Sequence, residues 1–326
     1  MPETSLLFGP VIAVTYEPPN DTVTRPTTLS LYSIYTLNKQ FYAIIGWNTW
    51  TKNNVYNFTG VVNYYDFPEF FYGIGNETPA TNRELVASKR FEAIVTAGRE
   101  IRKNLYGGLL YYNQTNWDIE PDSGGILYNN EVVGSQGGVS SGLGYLIRFD
   151  NRVQPLNPRA STYFEINHIF FNNAFGSDFN FSRFTYDFRK FWEIEGWTET
   201  PHILAVQTTG MFHTGEVPWR MTSAIGGKPL RGYYWGRYRD NQYWTAQVEY
   251  RMPVWWRLGV TGFVGVSQMA PTFRDFSTAD LKPAVGIGLR FLALAGINLR
   301  ADLTWGLGVT NVENPQNIYI DIGEAF

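Results

Sequence analysis

Cysteine is absent from the 326-residue chain, which excludes disulfides and thiolate metal sites and leaves the redox compartment open. Charge is scarce as well: Asp, Glu, Lys and Arg make up 17% of residues with a net charge of −3, so nothing suggests a nucleic-acid partner. No stretch approaches the roughly 18 consecutive apolar residues of a membrane-crossing helix. The sequence does not start with a signal peptide. Only three histidines occur, His168, His202 and His213, and they are scattered; no Ser/His/acid grouping can be assembled from them. Ser182 and His168 fall on neighbouring expected strands with both side chains outward, the nearest approach to a catalytic pair. No catalytic residue, metal site or cofactor is expected.

What is present is aromatic and alternating. Phe, Trp and Tyr reach 17%, yet mean hydropathy is −0.23. An apolar environment and a polar average are reconciled by strands with one greasy and one polar face. From Tyr243 the pattern alternates strictly, with Tyr243, Thr245, Gln247, Glu249 and Arg251 on one face and Trp244, Ala246, Val248, Tyr250 and Met252 on the other. One such strand would suit a soluble sandwich equally well; recurrence decides. Asn298, Arg300, Asp302 and Thr304 alternate with Leu299, Ala301, Leu303 and Trp305, and Arg183, Thr185, Asp187 and Arg189 alternate with Phe184, Tyr186 and Phe188. Tyr56, Phe58, Val62 and Tyr64 oppose Asn57, Thr59 and Asn63 in the same way. Aromatics gather near segment ends, where a lipid-facing barrel carries its girdles.

Strands are expected near 5–16, 27–37, 40–50, 54–66, 85–98, 103–114, 138–150, 160–173, 179–193, 200–213, 241–252, 255–268, 281–293, 296–308 and 317–326. Short connections (Arg99 to Arg102, Pro253, Ala295-Gly296) alternate with long ones (67–84, 115–137, 214–240, 269–280), as in a transmembrane barrel. Gly226-Gly227, Gly73-Ile74-Gly75 and Gly286-Ile287-Gly288 read as turns and bends, since none lies between a strand and a helix as a phosphate loop requires. The count is about fifteen, whereas an antiparallel barrel closes on an even number. The expected fold is therefore all-β, a sixteen-stranded antiparallel transmembrane barrel whose first strand is missing from this chain.

Several ordered motifs carry a family resemblance. Leu230-Arg231-Gly232-Tyr233 resembles a (Val/Ile)-Arg-Gly-(Phe/Tyr) signature. Tyr65-Asp66-Phe67-Pro68 through Phe71-Tyr72-Gly73-Ile74-Gly75-Asn76 resembles a Phe-Tyr-Gly-Ile-Gly-Asn loop. Phe149-Asp150-Asn151-Arg152 with Pro158-Arg159-Ala160 resembles a conserved-type turn, with Ala160 where glycine is usual. Gly286 to Phe291, Leu299 to Asp302 and Ile322-Gly323-Glu324-Ala325-Phe326 resemble three closing strands. Together these resemble the bacterial surface antigen type of the outer membrane protein 85 superfamily over nearly the whole length. Met1 to Ser5 resembles the tip between that family's first two strands, so the chain is expected to begin after strand one, truncated relative to the working gene product. POTRA domains usually precede such barrels; none is present here, and residues 1–326 are expected to form a single barrel domain.

The resemblance implies that 214–240 folds into the lumen and that Arg231 is held there by a carboxylate. The family's usual Phe-x-Asp-x-Gly strand reads Phe263-Val264-Gly265-Val266-Ser267, so the partner cannot come from residue 265. Glu249 and Asp302, both inward, are the expected latch partners. Gly323 and Phe326 would form the signal by which the outer-membrane assembly machinery recognises the barrel as a client; Phe326 read without the family is a girdle aromatic. The implied function is insertion or translocation of polypeptide through a strand seam in the bacterial outer membrane, with outer-membrane lipids, unfolded outer-membrane proteins and accessory subunits as partners. The alternative is a plugged channel or structural anchor working with a separate partner.

Overall fold

The computed structural model describes residues 7–129, 132–196, 198, 200–293, 296–307 and 316–326. Among them the chain forms one antiparallel meander with no α-helix. Its strands are β1 (Leu7–Phe8 and Val11–Tyr16), β2 (Thr27–Thr36), β3 (Phe41–Trp50), β4 (Tyr56–Asp66), β5 (Glu84–Arg102), β6 (Leu105–Glu120), β7 (Gly138–Asp150) and β8 (Ser161–Phe171), followed by β9 (Phe181–Ile194), β10 (His202–Gly215), β11 (Gln242–Trp255), β12 (Leu258–Ala270), β13 (Lys282–Leu292), β14 (Asn298–Gly306) and β15 (Ile318–Ile322). Each strand pairs with the next, from Val11↔Tyr32 to Leu303↔Ile318. β1 is one strand broken at Gly9-Pro10, because Phe8↔Tyr35 and Val11↔Tyr32 share a register. Proline, which lacks the donor a central ladder needs, falls on an edge strand.

The two-residue period sorts the side chains as the sequence requires. Thr245, Gln247 and Glu249 are buried towards the lumen while Val248 and Tyr250 are exposed on the outside. Ile318, Ile320 and Ile322 on β15, and Leu299, Leu303 and Trp305 on β14, likewise face outward and are exposed. This band of exposed apolar side chains is what hydrocarbon solvates and water does not.

Three expectations are corrected. β5 continues through Arg99 to Arg102 and turns at Lys103-Asn104, where Asn104 takes a left-handed φ of 64°. β6 continues through 115–120 instead of ending in a loop; with 19 and 16 residues, β5 and β6 exceed the roughly 9–11 needed to cross a bilayer and project beyond it. Pro253 lies within β11 beside a register shift, and the turn is at Trp256-Arg257, with Trp256 at φ 49°. The bulge accommodates the missing proline donor. The resemblance at Met1 to Ser5 falls outside the described residues.

The fifteen-strand count has a geometric consequence. In an antiparallel meander with an odd number of strands, the first and last run in the same direction. Among the described residues no ladder joins β1 to β15, and both present an unpaired edge. All six residues Val11–Tyr16 are exposed, and β15 is held by a ladder of only five residue pairs, Leu299↔Ile322 to Leu303↔Ile318.

Candidate functional site

The long connection between β10 and β11 runs back into the lumen, as the family resemblance implied. It carries its own two-residue ladder, Ser223↔Asp240 and Ala224↔Arg239. Ile225, Leu230, Tyr233 and Tyr238 pack with Tyr243, Met269 and Ala284 of the wall. Gly232 has φ 107°, and a Cβ there would come within 2.7 Å of the Gly306 nitrogen on β14. Only glycine satisfies both the left-handed backbone and this close approach.

That approach delivers Arg231 to a dry site. Its Nη1 donates to Asp302 Oδ2 at 2.6 Å and its Nη2 to Glu249 Oε2 at 2.6 Å, with all three side chains fully buried. Nη2 also donates to Gln247 Oε1 at 3.3 Å, and the guanidinium lies 3.4 Å from the centre of the Phe263 ring. The two carboxylates named from the sequence therefore act together, one per guanidinium nitrogen, in charge-assisted bonds of the strong kind. Gly265 is explained too: a Cβ there would meet Leu230 Cδ1 at 2.9 Å, so the position is occupied by the loop's leucine.

Sequence reasoning missed the extent of the network. Glu249 also accepts from Arg251 Nε at 2.7 Å, and Asp302 from Arg290 Nη1 at 2.6 Å and Arg300 Nη1 at 2.8 Å. Glu324 takes Arg290 Nε at 2.7 Å, and Asp321 takes Arg300 at 3.1 Å and Lys228 of the loop at 2.8 Å. The available signal was register: Arg251, Arg290, Arg300, Asp302 and Asp321 all lie on inward positions of neighbouring strands. Through Lys228–Asp321, and through the Gly232 amide donating to the Tyr319 hydroxyl at 3.3 Å, the loop grips β15 beside the open edge.

Phe326 is not in the outer girdle. Beyond β15 the backbone turns at Gly323, with φ 85°, and the last residues fold into the lumen. Glu324 N donates to Leu156 O at 2.9 Å, and Phe326 is buried against Phe191, Ile203 and Ala205, its ring centre 6.1 Å from that of Phe191. The loop between β4 and β5 covers the lumen loop from the other end. Phe71 meets Trp219 edge-on at 5.0 Å, Gly75 N donates to Arg239 O at 2.6 Å, and Arg237 donates to Thr78 Oγ1 at 3.0 Å.

The histidines stay apart. His202 Nδ1 lies 2.6 Å from the Tyr250 hydroxyl and His213 Nδ1 lies 2.9 Å from Asn241 O. His168 Nε2 does approach Ser182 Oγ, at 3.1 Å, and Ser182 Oγ lies 2.9 Å from Thr214 Oγ1; no carboxylate completes the pair among the described residues.

A family model for the Omp85 superfamily domain matches residues 36–326. The chain belongs to the Omp85 superfamily. Its barrel is thereby an integral protein of the bacterial outer membrane, in a family of insertion and translocation proteins and not of enzymes. Solved Omp85 structures share the fold. BamA from Haemophilus ducreyi lacking POTRA domains 1–3 superimposes with a TM-score of 0.63 at 15% identity, covering 97% of this chain and 68% of that one. CdiB from Acinetobacter baumannii gives 0.65 at 11% identity, covering 97% of this chain and 56% of its own. No curated protein matches in sequence.

Proposed function

We propose that this Omp85 barrel inserts or translocates polypeptide at the outer membrane by pairing a client strand at the seam between β1 and β15. The observation that carries the reading is the weak hold on the last strand: β15 is joined to β14 by five residue pairs only, Leu299↔Ile322 to Leu303↔Ile318. An exposed sheet edge presents backbone donors and acceptors in register for an added strand.

The lumen loop has a defined part in this reading. The Arg231 latch fixes the loop against β11 to β14, and Lys228, Gly232 and Tyr319 link the loop to β15. The position of the last strand, and so the width of the seam, then depends on the loop. Outer-membrane lipids bathe the outer band, unfolded outer-membrane proteins are the clients, and accessory subunits would work beside the barrel. Gly323 and Phe326 remain candidates for the signal read by the assembly machinery, exposed to it before Phe326 folds into the lumen. No catalytic group takes part.

Reconstitution tests this. Purified protein in liposomes is expected to speed the folding of an added unfolded outer-membrane barrel protein at least severalfold over empty liposomes. Unchanged folding would overturn this reading and favour the plugged channel, for which the loop-filled lumen speaks.

A further inference from the structure

The lumen holds a second cluster of charge that the seam mechanism does not use. Strands β2 to β11 and the lumen loop line a cavity of about 870 Å³. Its wall carries Arg90 from β5 and Arg220 and Arg239 from the lumen loop, around a single carboxylate, Glu69. Arg220 pairs directly with Glu69 and with the Ser88 hydroxyl, while Arg90 and Arg239 approach the carboxylate only to 3.6 and 3.7 Å. Three guanidiniums thus share one carboxylate. The Nε of each is buried and has no protein acceptor.

Farther along this wall Glu92 and Arg183 are one of each sign, Arg148 pairs with Glu165, and Asp187 pairs with Arg189, so the excess of two positive charges around Glu69 is local to these three arginines. Arg183 meets no carboxylate among the described residues and rests over the Tyr112 ring at 4.3 Å. The electrostatics report the same imbalance. Burial lowers Arg220 to about 10 with Arg90 and Arg239 adding to the effect against Glu69. Burial alone would raise Glu69, yet the surrounding arginines hold it at about 2. Buried charge without a counter-charge is expensive, whereas at the latch every arginine has a carboxylate within hydrogen-bond distance.

From this contrast we propose that Arg90, Arg220 and Arg239 form a binding site for a phosphate group on the lumen wall. Planar guanidiniums match phosphate oxygens in paired hydrogen bonds. A phosphate monoester carries about two negative charges at neutral pH, which equals the excess, whereas a carboxylate would neutralise half of it. The phosphate arrives on a soluble monoester or on a lipid headgroup reaching in from the membrane. The site is independent of the seam reading and stands or falls separately.

The test is equilibrium dialysis of the folded full chain against radiolabelled orthophosphate. Saturable binding near one per chain is expected. Glu69→Gln removes the resident competitor and is expected to tighten binding about tenfold, while Arg220→Gln and Arg239→Gln weaken it at least tenfold. The opposite signs separate a ligand site from a clasp, in which all three substitutions would loosen the loop alike. Should the arginine variants fail to fold, the sign of Glu69→Gln still decides. Displacement by glycerol 3-phosphate alone assigns the site to soluble monoesters; displacement also by phosphatidic acid in the surrounding bilayer assigns it to headgroups. Absence of saturable orthophosphate binding, weakened binding in Glu69→Gln, displacement by neither phosphate source, or equal displacement by acetate would each overturn the proposal.

Discussion

The two sides of the lumen handle buried arginine in opposite ways. Against β11 to β15, Arg231, Arg251, Arg290 and Arg300 interleave with Glu249, Asp302, Asp321 and Glu324. Against β5, Arg90, Arg220 and Arg239 crowd one carboxylate beside an open cavity. The first arrangement is self-sufficient and rigid, and it lies next to the seam. The second has three arginines to one carboxylate. One loop supplies arginines to both, and its parts do different work: the middle, at Arg231, locks a wall, while the two ends, at Arg220 and Arg239, crowd one carboxylate.

The largest effects are expected from the carboxylate side. Asp302→Asn or Glu249→Gln leaves several buried arginines short of a partner and is expected to cost about 3–5 kcal/mol, the scale for breaking a buried pair, read as a lower midpoint in urea unfolding. Arg231→Ala costs less, about 1.5–3 kcal/mol, because Glu249 keeps Arg251 and Asp302 keeps Arg290 and Arg300. Its larger effect is on the loop: conductance in planar bilayers should rise and the heat-modified gel mobility should change. If both stay as in the native protein, Arg231 is no latch.

Gly232→Ala sharpens the same point through the backbone. A left-handed φ and contact with the Trp305-Gly306 backbone predict a loss of about 1–3 kcal/mol, with the loop displaced although every charge remains. The smallest effect belongs to Glu69. Burial would raise its carboxyl but Arg220, Arg90 and Arg239 depress it from 4.5 to about 2, so its contribution is complete above pH 4.5 and is lost as pH falls towards 2. Thermal midpoints of the native protein and Glu69→Gln should differ at pH 6 and converge as the pH falls through that window.

Much of this was legible in the residues. Alternation at Tyr243 to Met252 identified the inward face of β11, and with it Glu249. Asp302 followed from the same rule on β14. Arg290 lies opposite Arg300 on the adjacent strand and obeys the same alternation, but Glu324 follows the turn at Gly323, where alternation no longer reports direction. The girdle reading of Phe326 failed because a single left-handed glycine, Gly323, redirects the chain after β15, and alternation cannot report a turn. The strand limits at Arg102, Glu120 and Trp255 were missed because Asn104, Asp118 and Trp256 take positive φ, with register shifts near Asp118 and Pro253, where proline alone suggested an end. The crowding around Glu69 depends on two loops meeting, and nothing in either loop announces the other.

The seam is the centre of the account, and photo-crosslinking in living cells tests it most directly. Probes placed at Thr15 on β1 and Ile320 on β15 stand on the two open edges. Capture of varied, newly made outer-membrane proteins by both probes is the expected result. Capture of a single fixed partner, or of no client from either edge, would contradict insertion by strand pairing and leave a barrel that serves as anchor or pore.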